Sequence, residues 1–112
     1  MQKKLTDIMN EDFERFINFI QAVVERPGMF FVNNVEDFSL VILGYRAACS
    51  NHSQSYEAVN DFFNNFKGFI NKHYGMSEDL DWARLIRFHC VNDFTTLEFL
   101  KRKLNEFIAG MV

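Results

Sequence analysis

The sequence holds one proline, five glycines, two cysteines and one tryptophan. So few turn residues cannot punctuate the many short strands of a β-sandwich or barrel, and they exclude collagen-like and proline-rich scaffolds. An excess of basic charge is also missing: twelve Lys and Arg stand against fifteen Asp and Glu, a net charge of −3. A nucleic-acid binder needs a basic stripe that displaces counterions from phosphates. None dominates this chain, so direct nucleic-acid binding is not expected. Apolar runs such as Leu40-Val41-Ile42-Leu43 fall far short of the roughly 20 residues that span a bilayer. The opening Met1-Gln2-Lys3-Lys4-Leu5-Thr6-Asp7 begins basic but meets an acid before any apolar run, unlike a signal peptide. A cytoplasmic protein without a membrane role is the expectation.

What is present is a core. Apolar residues make up 48% of the 112 positions and charged residues 24%, which excludes a disordered chain and fits one globular domain spanning residues 1–112. Phenylalanine supplies 14 of the aromatic residues, with three tyrosines and one tryptophan. Such a set reads as core and interface anchors rather than a cofactor site.

Apolar periodicity points to an all-α single-domain bundle of about five helices. The first runs from Asn10, as N-cap, to Glu25 with Phe13, Phe16, Ile17, Ile20, Val23 and Val24 on one stripe. Residues 3–9 form a preceding turn or extend it. Arg26-Pro27-Gly28 stops that helix, with Gly28 free to take positive φ. Met29-Phe30-Phe31-Val32 is expected to tuck back onto the core, because four exposed apolar residues are costly. Asn33-Asn34 caps a helix near 35–50, whose interior Gly44 implies close approach by another helix. A third helix near 56–74 carries Val59, Phe62, Phe63, Phe66, Phe69 and Ile70, and its Gly68 carries the same implication. Gly75 ends it. Ser77 is expected to open a fourth helix that ends near Cys90. Asn92 or Asp93 caps a fifth with the stripe Phe94, Leu97, Leu100, Leu104, Phe107 and Ile108.

No constellation identifies a reaction. Cys49, Cys90, His52, His73 and His89 lack the paired spacing of a zinc site, so no cofactor or metal is expected. The cysteines, 41 positions apart, read as buried reduced thiols. Cys49 and His52 could share a surface, but no third group orients them as a thiol nucleophile requires. Glu11-Asp12, Glu36-Asp37 and Glu78-Asp79 lie at expected helix starts, where complementation of the helix dipole accounts for them without catalysis. Arg26-Pro27-Gly28-Met29-Phe30 resembles a motif in the ATP-binding module of type II topoisomerases. That module also needs glycine-rich phosphate loops and a sheet, and this chain has neither.

Charge is the more informative feature. Residues 31–66 carry Glu36, Asp37, Glu57 and Asp61 against Arg46 alone, and residues 76–100 carry Glu78, Asp79, Asp81, Asp93 and Glu98 against Arg84 and Arg87. The basic run Lys101-Arg102-Lys103 suits the solvent face of the last helix. If the two acidic segments share a face, that face is complementary to a basic partner. The expected partner-binding residues are Glu36, Asp37, Glu78, Asp79 and Asp81, with Trp82 as an aromatic anchor at the edge.

Glu25-Arg26-Pro27-Gly28-Met29-Phe30, Phe38, Leu43-Gly44-Tyr45-Arg46-Ala47-Ala48, Asp81-Trp82-Ala83-Arg84-Leu85-Ile86, Asp93-Phe94 and the run Phe99 to Phe107 form a pattern over most of residues 25–107. It resembles small helical immunity proteins encoded beside bacterial polymorphic toxins, including those of contact-dependent growth inhibition. The resemblance implies a cytoplasmic, non-catalytic protein that binds a cognate toxin domain and occludes its active site. Such toxins are often nucleases, whose phosphate-attracting clefts are basic. The motif residues read as structural, so the contact residues rest on charge alone. The alternative is a non-catalytic adaptor or regulatory subunit; a small enzyme or a helix-turn-helix regulator, whose recognition helix should be basic, ranks below it.

Overall fold

The computed structural model describes residues 2–50, 53–77 and 79–111, with side chains described from Glu11 in the first helix and from Tyr56 in the third. Five α-helices follow one another: α1 (Gln2–Glu25), α2 (Val35–Ala48), α3 (Ser53–His73), α4 (Trp82–His89) and α5 (Asp93–Ala109), with a 3-10 turn at Pro27–Phe30. No strand occurs among the described residues. The chain is thus the all-α bundle that the apolar periodicity predicts. α1 lies against α3 and α5, α2 against α4 and α5, and α4 against α3.

The core is built on α3. Phe62, Phe63, Phe66 and Ile70 are all buried, and their spacing of one, three and four residues keeps them on one helical face. Phe62 meets Phe16 of α1 at 5.5 Å and Phe107 of α5 at 5.2 Å, both edge to face. Phe63 stacks on Trp82 of α4 at 5.8 Å, and Trp82 in turn meets Phe38 of α2 at 6.1 Å. Offset and edge-on geometries satisfy the ring quadrupoles while burying large areas. One row of phenylalanines therefore touches or reaches every other helix.

Two buried polar side chains fix the connections. Thr96, fully buried in α5, accepts the backbone N–H of Val35 at 3.2 Å and donates to the Asp93 carbonyl at 2.6 Å. It thereby supplies a partner for a free N–H at the start of α2. Asn71 of α3 donates to the carbonyls of Lys67 and Leu80 and accepts the Leu80 N–H at 3.1 Å. No described buried side-chain nitrogen or oxygen is left without a partner.

Several boundaries differ from expectation. α1 starts at Gln2 and not at Asn10. α3 starts at Ser53, three residues before expectation. α4 starts at Trp82 and not at Ser77, because the Asn71 side chain takes both backbone groups of Leu80 and Asp81 caps the helix through the Arg84 N–H at 3.0 Å. Asn34 and Asn92 cap α2 and α5 as expected, Asn92 through a reciprocal pair with Thr95. Gly75 takes the left-handed conformation at the end of α3, whereas at the first turn it is Phe31, not Gly28, that does so. The Met29–Val32 segment tucks back only in part: Val32 is buried and Phe30 meets Phe19 edge to face at 6.0 Å, whereas Met29 is 70% and Phe31 88% exposed. A Cβ at Gly44 or Gly68 would meet nothing within 4 Å, so neither glycine serves close packing in this chain. Phe94, expected on the core stripe of α5, is exposed. Cys49 and Cys90 are free and half-buried rather than buried.

Replacing Thr96 by Val keeps the shape and removes the acceptor of the Val35 N–H, and should cost about 1–3 kcal/mol in urea unfolding. Gly44→Ala should instead stabilise by about 0.5–1 kcal/mol, since the helix gains propensity at an open position. A loss of stability on Gly44→Ala at low protein concentration would show that the site is packed.

Candidate protein-binding face

α4 carries the candidate site on its outward side. Trp82, Ala83, Leu85 and Ile86 point into the core and leave Arg84 and Phe88, four residues apart, facing out. Along this side runs a cavity of about 430 Å³ lined by Met76, Leu80, Asp81, Arg84, Leu85, Phe88 and His89. Its lining is mostly apolar. His89 is held at its rim: its Nδ1 lies 2.8 Å from the Leu85 carbonyl, its ring stacks on Tyr74 at 3.9 Å, and the Phe88 ring meets it edge on at 5.1 Å.

At the C-terminal end of α4, Arg87 joins three helices. Its Nε and one Nη bind both oxygens of Glu36 at 2.7 and 2.8 Å, and the guanidinium also reaches Asp93 at 2.6 Å. Its bidentate geometry makes this a well-directed ion pair. It draws the start of α2 and the start of α5 onto the end of α4. The hydrogen bond from Arg87 holds the Glu36 carboxyl below its ordinary value near 4.5, against the opposing effect of burial, and the two carboxylates raise the Arg87 pKa.

Around this clamp stand large, mostly exposed apolar side chains, of which Phe88 meets only the His89 ring, edge on at 5.1 Å, among the ring contacts of the described residues. Phe88 adjoins Arg87 and is 83% exposed; Phe94 adjoins Asp93 and is 68% exposed; Val91, on the turn between them, is 92% exposed. Since Arg87 and Asp93 touch, Phe88 and Phe94 are each the sequence neighbour of a member of one ion-pair network. Scattered exposed apolar residues are ordinary, whereas a group of aromatics around charged residues marks an interaction surface.

The predicted site residues are only partly brought together. Glu36 lies in the clamp. Asp37 is beside it, its carboxylate accepting the Asn33 N–H at 2.9 Å. Asp81 caps the other end of α4, roughly 9 Å along the axis from Arg87 by helical rise. Asp79 pairs with Lys67 at 3.0 Å and remains largely exposed. Glu78 lies outside the described residues. Trp82 is corrected: only 7% exposed, it is the core ring between Phe63 and Phe38 and cannot anchor a partner from the surface. Phe88, Val91 and Phe94 occupy the exposed role instead, and Arg87 and Asp93 join the site. Phe88 was findable from its place one turn after Arg84, and Phe94 from its being out of phase with Leu100 and Leu104.

The clamp should show in the pH dependence of stability. A carboxyl whose folded pKa is depressed contributes above its unfolded value, and that contribution is lost as pH falls through the folded one. Urea midpoints of the wild type and Glu36→Gln should differ at pH 7 and converge toward pH 3. A gap of the same size at both pH values would show that the clamp's contribution does not depend on the Glu36 charge.

No helix among the described residues is long and apolar enough to cross a membrane, and no described group of His, Cys, Asp and Glu is placed to hold a metal ion. The chain matches no family model, no curated protein and no solved structure.

Proposed function

We propose that this chain is an immunity-type protein that acts by binding and not by catalysis: it neutralises a cognate toxin domain of the nuclease type by covering its active site. The observation that carries the reading is the cluster of exposed Phe88, Val91 and Phe94 around the Glu36–Arg87–Asp93 clamp. The resemblance of residues 25–107 to toxin-neutralising proteins supports it. Burying one such ring against a partner returns roughly 1.5–3 kcal/mol of transfer free energy, and aromatic anchors of this kind dominate interface energetics. The cavity beside Phe88 offers a receptacle for a side chain of the partner.

The charges play the lesser part. Glu36, Asp93 and Asp37 outnumber Arg87, so the rim is net negative. It complements a basic cleft and speeds encounter, an effect that salt screens over about 8–10 Å. The intramolecular pairing of Glu36, Asp79 and Asp81 leaves these acids less available than their number implies.

The test is co-expression with a growth-arresting toxin domain of the nuclease type, sought in the reading frames beside this chain's own. The wild-type chain should restore growth and co-purify with that domain. Phe88→Ala combined with Phe94→Ala should weaken the complex by at least tenfold and leave the circular dichroism spectrum unchanged. Asp79→Lys with Asp81→Lys should mainly slow association at low salt. Growth arrest in the presence of the wild-type chain, or a partner whose contact surface is strongly acidic, would overturn the reading.

A further inference from the structure

The groove on the outer side of α4 holds two opposite charges that neither the fold nor the aromatic cluster consumes. Asp81 and Arg84 both line it. Side chains three apart on a helix have Cβ atoms about 5–6 Å from each other, close enough for an acid and a base to pair. These two do not, and neither side chain enters any ion pair of the described residues. The Asp81 carboxylate accepts the Arg84 backbone N–H at 3.0 Å through one oxygen, a capping bond that leaves its charge in place. The backbone beside them is taken, since Asn71 holds both the carbonyl and the N–H of Leu80. A carboxylate and a guanidinium are therefore what the groove offers to the charges of a ligand.

The rest of the wall is apolar and aromatic. Leu80 and Leu85 line it with Met76 and Phe88. The His89 ring is fixed in advance by Tyr74 and the Leu85 carbonyl, and Phe88 meets it edge on. A ring entering here finds two aromatic neighbours and the Met76 thioether, each suited to edge or offset contact. The volume of about 430 Å³ is that of a small-molecule site. The paired charges select the ligand. An apolar molecule leaves both unanswered, and a molecule of one sign is attracted by one group and repelled by the other. A peptide terminus likewise carries a single charge. A free α-amino acid carries both signs on one carbon. We infer that this groove binds a free aromatic α-amino acid, its carboxylate on Arg84, its ammonium on Asp81 and its ring among Phe88, His89 and Met76.

An NMR titration of the isolated chain with L-phenylalanine, from about 0.1 to 20 mM, tests this, because exposed charges at an open groove support roughly millimolar affinity. The amide signals of Arg84, Leu85, Phe88 and His89 should shift and saturate. Phenylpropionate, which lacks the ammonium, and phenethylamine, which lacks the carboxylate, should each bind at least about threefold more weakly. Arg84→Gln should weaken L-phenylalanine to a similar extent without weakening phenethylamine. Asp81→Asn, which keeps a capping oxygen, should weaken L-phenylalanine without weakening phenylpropionate. Both variants should keep the wild-type circular dichroism spectrum. The absence of saturable shifts at the highest concentration would overturn the inference. So would a singly charged probe that binds as tightly as L-phenylalanine, or variants that weaken all three compounds alike. The titration contains no toxin domain, so this inference and the immunity reading can fail separately.

Discussion

Every helix of this protein is placed by the phenylalanine row of α3. Phe62, Phe63 and Phe66 bury their rings in the centre and meet Phe16, Trp82 and Phe107 at centroid distances between 5.2 and 5.9 Å. These large planar groups cannot be accommodated by loose packing, because interiors are filled to crystal-like density. α1, α4 and α5 are thus positioned by where they can offer a matching ring, and α2 is placed through Phe38 against Trp82.

α4 shows the consequence most clearly. With eight residues it is too short to persist alone in water. It is held from inside by Trp82, Leu85 and Ile86, from its start by Asp81, and from its end by Arg87 on Glu36 and Asp93. With the inner face committed to the core, Phe88 is left on the outside. The same constraint that makes α4 stable therefore makes its outer side an aromatic surface. The clamp adds direction: it ties the start of α5, and with it the turn containing Val91, to the end of α4.

The exposed apolar groups divide by their electrostatic surroundings. Phe88, Val91 and Phe94 lie next in sequence to the charged clamp or on the turn between its members, while Leu40 and Leu43 stand on a stretch of α2 without charged residues. Neither group is needed by the fold, and both leave apolar area in water that association would remove.

The helical class, five elements and the asparagine caps were legible in the residues, because 3.6-residue periodicity and side-chain capping are local properties. The core phenylalanines of α3 were legible for the same reason. Trp82 was not: its neighbours Asp79 and Asp81 mark a surface in the linear chain, and only the packing of α4 on Phe63 turns the indole inward. The late start of α4 depended on Asn71, nine residues from Leu80, taking backbone groups that a helix would otherwise use. Of the acids expected to contribute to one binding face, Asp81 is a cap, Asp79 pairs with Lys67 and Glu36 belongs to the Arg87 clamp. Glu36 and Arg87 lie 51 positions apart, beyond anything local patterning encodes. The sequence by itself determined which segments are helical and which side of α3 is buried. Tertiary packing decided which apolar residues remain outside, because burial depends on what arrives from elsewhere in the chain.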